Sequence, residues 1–208
     1  MTQEVTLGGS DDSLSDDELM ARAAQGDERA FELVHERHRA RIFRIVYRCV
    51  GQRQLAEDIT QETFLRVFRH LSRYQPMGQA SAWVTRIAVN LSRNALRRRR
   101  EVLVDVDPES EGGESMFERV ADAQASPAGG AVLSEREEHV RAAIAELPIE
   151  YREVMVLCSL EGFSYREAAK ALSISEQLVG VRLFRGRHML RFLLQRKGIV
   201  LCDRGGTA

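Results

Sequence analysis

Apolar residues recur along this chain at helical spacing, and no stretch alternates as a strand would. Between residues 83 and 95 they fall at positions 83, 84, 87, 88, 91 and 95, the stripe of one buried helix face. Arg86, Asn90, Arg93, Asn94 and Arg97 fall on the other side, and the stretch closes with four arginines, Arg97 to Arg100. The pattern predicts a helix over about 80–100, preceded by a break at Pro76-Met77-Gly78-Gln79. Upstream, Ser15 with Glu18 reads as a capping box opening a short helix that stops near Gly26. Asp27 can cap the next helix, which ends at Gly51 with Phe31, Leu33, Val34, Ile42, Ile45, Val46 and Cys49 inward. Its outer face carries Arg37, Arg39, Arg41, Arg44 and Arg48, and His35 and His38 read as surface positions on it. A third helix is expected over about 53–71. Four helices with short connections make one compact unit, residues 15–100, after a mobile tail 1–14.

The periodicity lapses over residues 101–133, where Asp, Glu, Ser, Gly and two prolines dominate around one short helical pattern at Met116–Ala121. At this length and composition the segment reads as a linker between domains. Period 3.6 resumes at Ser134. A helix to Leu147 and a second over 149–161, with Val154, Val156, Leu157 and Leu160 inward, precede two Ser-capped helices starting at Ser164 and Ser175. The last reaches about Gln195, leaving a tail at 198–208. The fold class is therefore all-α: two small helical domains, 15–100 and 134–197, joined by an acidic flexible linker.

The net charge of −1 conceals a segregation. Residues 1–30 hold eight acids and two bases, 31–100 hold five acids and fifteen bases, and 101–133 hold eight acids and one base. A strongly basic block thus lies between two acidic ones, which points to a polyanion partner. Cys49, Cys158 and Cys202 form no paired framework and fit a reducing compartment. The first residues lack a basic-then-apolar leader, and no apolar run is long enough to span a bilayer, so the expectation is a cytoplasmic protein without membrane insertion.

Three patterns carry candidate chemistry. The outer side of helix 80–100 offers amides and guanidiniums to a nucleic acid. Residues 164–187 form a short Ala-rich helix, a turn at Ser173-Ile174 and a longer helix. That is a helix-turn-helix, with Glu176, Gln177, Gly180, Arg182 and Arg185 as its outward candidates. Asp58, Gln61 and Glu62 share a helix face, and with no nucleophile, metal-ligand spacing or phosphate loop beside them they suit protein docking. No convergent catalytic set, metal site or cofactor motif is present, so the chain is not read as an enzyme.

Taken together, Asp58-x-x-Gln61-Glu62-x-Phe64, Trp83-Val84-x-Arg86-Ile87-Ala88-x-Asn90 with its arginine run, and the C-terminal helix-turn-helix closely resemble the bacterial sigma-70 family. The two-domain size is similar to its extracytoplasmic-function branch, and the resemblance covers about residues 19–197. It implies a dissociable initiation factor that binds core RNA polymerase and opens the minus-ten promoter element. Asp58, Gln61, Glu62 and Phe64 would dock on the β′ clamp helices. The loop Met77–Ser81, with Gly78, Gln79 and Ser81, would form a pocket for a flipped base. Trp83, Arg86, Asn90, Arg93, Asn94, Arg97 and Arg98 would face the non-template strand. Ser175, Glu176, Gln177, Gly180, Arg182 and Arg185 would meet the minus-thirty-five duplex. The linker would thread the polymerase's RNA channel. The β flap and an anti-sigma factor are further partners the resemblance implies, and the free chain is expected to be a monomer. The runner-up is a stand-alone helix-turn-helix regulator acting as a dimer. Three features depart from the family pattern: Asn94 stands for an Asp, Ser173 for the turn glycine, and Gln177–Arg182 keeps only Val179 and Arg182 of the usual recognition run.

Overall fold

The computed structural model describes residues 13–75, 78–105 and 135–199. The tails, Pro76, Met77, and the segment 106–134 with its short helical pattern lie outside the described residues. Eight α-helices account for the rest of the architecture, and none of the described residues is in a strand.

Helix α1 (Asp16–Ala24) starts at the capping box, Ser15 taking the Glu18 amide while the Glu18 carboxylate takes the Ser15 N–H at 2.8 Å. Asp27 caps α2 (Glu28–Val50), which ends at Gly51 in the left-handed region, a conformation that favours glycine. Helix α3 (Arg53–Arg69) is followed by a 3-10 turn at Leu71–Arg73. Helix α4 (Ala80–Asp105) runs five residues further than the periodicity suggested. His38 is buried and its Nε2 lies 2.8 Å from Asp16, so it is not a surface residue: the pair ties α1 to α2. That pairing holds the Asp16 carboxyl at about 2, chiefly through the hydrogen bond from His38.

The second half comprises α5 (Glu135–Glu146), α6 (Ile149–Met155), α7 (Tyr165–Leu172) and α8 (Glu176–Arg196). The single helix expected over 149–161 is instead α6 continued by a π turn, Val156–Leu160, closed by Glu161 N–H to the Val156 carbonyl at 3.0 Å. This widening leaves Leu160 exposed rather than inward. Ser164 and Glu167 form a second capping box at the start of α7. The turn places Ser173 at φ 58, the left-handed conformation in which a glycine would be unstrained. Gly186 lies where α8 crosses α6: a Cβ there would stand 3.2 Å from Met155 and 3.3 Å from Tyr151. It is a close-packing glycine.

Helix α4 is the centre of the molecule. It packs on α2 and α3 and also on α7. Val84, Ala88 and Leu91 make one buried face; Thr85, Val89 and Ser92 make a second, about 100° around the helix. The stripe at 83–95 accounts for the first face alone. The packing of the two halves also gives α4 a neighbour in α7, whose Ala168, Ala169 and Ala171 are buried.

Candidate nucleic-acid interface

The two buried faces of α4 leave an arc of about 120° for function. Arg86, Asn90, Asn94, Arg97 and Arg98 are exposed on it. Where α4 begins beside the end of α3, Arg66, His70, Arg73, Trp83, Ile87 and Asn90 line an open cavity of about 270 Å³. It is smaller than the roughly 300–1,000 Å³ that admits drug-sized ligands. Its parts are complementary in kind. Trp83, tilted against Tyr74 at 5.2 Å between ring centres, supplies an aromatic face. Asn90 supplies an amide, donor and acceptor together. Arg66 and Arg73 supply positive charge, and Arg66 is already paired to Glu62 at 2.7 Å. His70 Nδ1 is 2.8 Å from the Arg66 carbonyl, which makes Nδ1 the donor of that bond.

Sequence reasoning put the pocket in the loop Met77–Ser81. Met77 lies outside the described residues, and Gly78, Gln79 and Ser81 do not line this cavity. The Gln79 N–H points to Asp17 at 3.4 Å, so the loop is tethered to α1. Arg66, His70 and Arg73 went unremarked because they belong to α3 and the turn after it. Arg66 and His70 sit at i and i+4, which was the available signal.

On α3, Asp58 and Gln61 are exposed and Glu62 is half-buried. Phe64 is 5% exposed and packs edge-on against His35, with ring centres 4.6 Å apart. In the free chain it is therefore part of the core. Leu65 and Phe68, each more than half exposed, lie on the face that Asp58, Gln61 and Glu62 begin.

Arg93 faces the other half of the chain. Its guanidinium clasps the fully buried Glu153 of α6, with Nε 2.7 Å from Oε1 and a second contact from Nη2 to Oε2. Burial pushes the Glu153 carboxyl up, against the opposing pull of Arg93. A second seam runs along α2. Arg41, Arg44 and Arg48 surround the Glu161 carboxylate, Arg44 at 3.0 Å, and Arg41 also donates to the Glu161 carbonyl at 2.7 Å. The Arg41 guanidinium stacks on Phe163 at 4.2 Å. Arg152 reaches the Cys49 carbonyl, and Arg141 donates to the Tyr47 hydroxyl at 3.1 Å. Three of the arginines read as an open basic face are thus the seam between the halves.

In the helix-turn-helix, Ser175 is the N-cap of α8, its hydroxyl accepting from Leu178 N–H at 3.2 Å. Glu176, Gln177 and Arg185 are exposed and Arg182 is half-buried. Gly180 points toward Tyr165: a Cβ there would lie 3.6 Å from the ring, an ordinary contact. Among the described residues there is no cluster of His, Cys, Asp and Glu able to hold a metal and no helix long and apolar enough to cross a membrane.

An all-α chain with an Asn- and Arg-lined cavity on one unit and a helix-turn-helix on the other defines a DNA-binding protein with two contact units. Residues 34–102 match the family model for sigma-70 region 2, and residues 138–190 that for sigma-70 region 4. The chain is 37% identical over 177 residues to the ECF RNA polymerase sigma factor SigE of Mycolicibacterium smegmatis, a match covering 83% of this chain and 66% of that protein. It is 34% identical over 175 residues to the RNA polymerase sigma factor CarQ of Myxococcus xanthus, covering 84% of this chain and 95% of CarQ. Among solved structures it resembles CnrH, in complex with the cytosolic domain of CnrY, with a TM-score of 0.65 and 26% identity over 87% of this chain and 97% of that one. The chain belongs to the sigma-70 family, in its extracytoplasmic-function branch.

Proposed function

We propose that this chain is a cytoplasmic, non-enzymatic initiation factor that binds core RNA polymerase and directs it to promoters by two DNA contacts. The observation that carries the residue-level reading is the cavity between α3 and α4. Trp83 stacks an extruded base, Asn90 and His70 read its edge, and Arg66 and Arg73 hold the flanking phosphates. Arg86, Asn94, Arg97 and Arg98 extend the track along the displaced strand. Asp58, Gln61, Glu62, Leu65 and Phe68 form the face presented to polymerase, acidic at one end and apolar at the other. Helix α8 meets the upstream duplex. An anti-sigma factor belongs to the same proposal; the structural relative CnrH is held in complex with the cytosolic domain of CnrY.

The clasp of Arg93 by Glu153 gives the free chain a closed form in which one strand-facing arginine is occupied. Binding to polymerase separates the halves, and Arg93 then exchanges a carboxylate for a phosphate. A dimeric regulator has no use for an acidic-apolar face on α3 or for such an exchange.

The test is transcription by core polymerase with and without the purified chain. Promoter-dependent transcripts should require the chain, and Asp58→Ala with Glu62→Ala should weaken association with core while both halves stay folded. Trp83→Ala should leave association intact and reduce open-complex formation. Failure of the unaltered chain to associate with core refutes the proposal.

A further inference from the structure

We infer that the recognition helix reads its upstream duplex through thymine methyl groups rather than mainly through hydrogen bonds. The inference rests on the sigma-factor reading above and adds the chemistry of the upstream element. Leu178, Val181 and Phe184 are 37%, 45% and 74% exposed, while Val179, Leu183 and Gly186 carry the buried side of the same helix. Residues three apart advance about 4.5 Å along a helix axis and swing 60° around it, so the three form one slanted ridge about 9 Å long. That run fits within a major groove about 12 Å wide.

Polar groups flank the ridge and are sparse at its start: Arg182 beside it is half-buried and the exposed Arg185 follows Phe184. Over the first turn and a half only Glu176 and Gln177 can hydrogen-bond to a base edge through an exposed side chain. Position 180 has no side chain, and its Cβ direction faces Tyr165 rather than outward. Charge identifies the occupant. From Gln177 to Lys197 there are six bases and no acids, so the flanks of the ridge suit a polyanion. In a major groove, the feature that rewards an aliphatic side chain is the thymine 5-methyl. Leu178 and Val181, nearest the helix start, contact two such methyls, and Phe184 lies at the groove's edge. Phe192, about 12 Å further along the axis, is beyond the groove and takes no part.

The experiment uses holoenzyme made from core polymerase and the full chain. Duplexes with a randomised upstream segment are selected by holoenzyme binding, and the winners are resynthesised with deoxyuridine for thymidine in that segment alone. Each lost methyl contact should weaken binding about 3- to 5-fold, so two should give roughly 9- to 25-fold. A Leu178→Ala, Val181→Ala holoenzyme should bind the thymine and uracil duplexes equally well, a coupling that a merely structural role would not produce. A uracil effect below 2-fold overturns the inference while leaving the sigma reading intact. If uracil is neutral but the double variant still loses promoter binding, the ridge is a protein contact and the inference is again overturned. If holoenzyme does not form, the sigma reading itself fails and takes the inference with it.

Discussion

Arg93 and Glu153 form one ion pair, but their removal should have very different effects. Glu153 is fully buried on α6, whereas the Arg93 side chain is 34% exposed. Replacing Arg93 by Ala leaves a fully buried carboxylate without its ion-pair partner, a loss of about 3–5 kcal/mol for a broken buried pair. The chain can escape that penalty by separating its halves and hydrating Glu153, so the loss should show as opening before unfolding. Glu153→Gln removes a charge whose ionised form burial already disfavours, keeps the shape and an acceptor for Arg93, and strands only a cation that water can reach. Its effect should be below about 1 kcal/mol. The radius of gyration by small-angle scattering, with urea unfolding alongside, should expand for Arg93→Ala and change little for Glu153→Gln. The pH adds a sign. The Glu153 pKa is raised, so the protonated carboxyl is the form the seam tolerates, and without Arg93 the closed form should return as pH falls through that pKa. Equal losses from the two substitutions, or a compact Arg93→Ala chain at neutral pH, would refute the reasoning.

Asp16→Asn should destabilise the fold by about 1–2 kcal/mol at pH 7, a figure reduced for partial exposure. Because the Asp16 pKa is depressed to about 2, that contribution is present above its ordinary 3.8 and disappears as pH falls through 2, so urea unfolding of the two proteins should converge in acid. Ser173→Gly relieves a left-handed backbone and should raise stability by about 0.5–1 kcal/mol in thermal melts. Gly180→Ala meets only an ordinary contact with Tyr165 and should stabilise α8 by up to about 1 kcal/mol, whereas Gly186→Ala forces Met155 and Tyr151 apart and should destabilise it by about 1–3 kcal/mol. Leu65→Ser should weaken core-polymerase association without lowering the melting temperature; a lowered melting temperature with intact association would remove Leu65 from the docking face.

What could be read from the chain was local. The capping box at Ser15, the cap at Ser164, the glycine stop at 51 and the helix-turn-helix lie within a few residues of their causes, and each stands in the structure. The meeting of the halves was not legible, because it joins residues far apart in sequence. Arg93 and Glu153 are 60 positions apart and Arg44 and Glu161 are 117 apart. One signal was available. Glu153 stands three and four residues before Val156 and Leu157, in the same buried stripe. A carboxylate there requires a cation from elsewhere. Phe64 shows the opposite limit: a motif singled it out, and only the structure shows that it packs in the core.

The basic block, residues 31–100, is where these ion pairs draw their cations. Fifteen bases among seventy residues repel one another unless something answers them. In the free chain the answer is partly internal: Glu161 takes Arg41, Arg44 and Arg48, and Glu153 takes Arg93. A pair held this way is weak support for stability, since both ions lose water to make it. Its value is that the same guanidinium suits a phosphate as well as a carboxylate. With the proposed strand contact, closure and promoter binding therefore compete for Arg93, and any polymerase contact that draws the halves apart raises DNA affinity without touching DNA. Charge segregation in such a chain marks cations that change partners, and a count of them cannot say which partner they hold at a given moment.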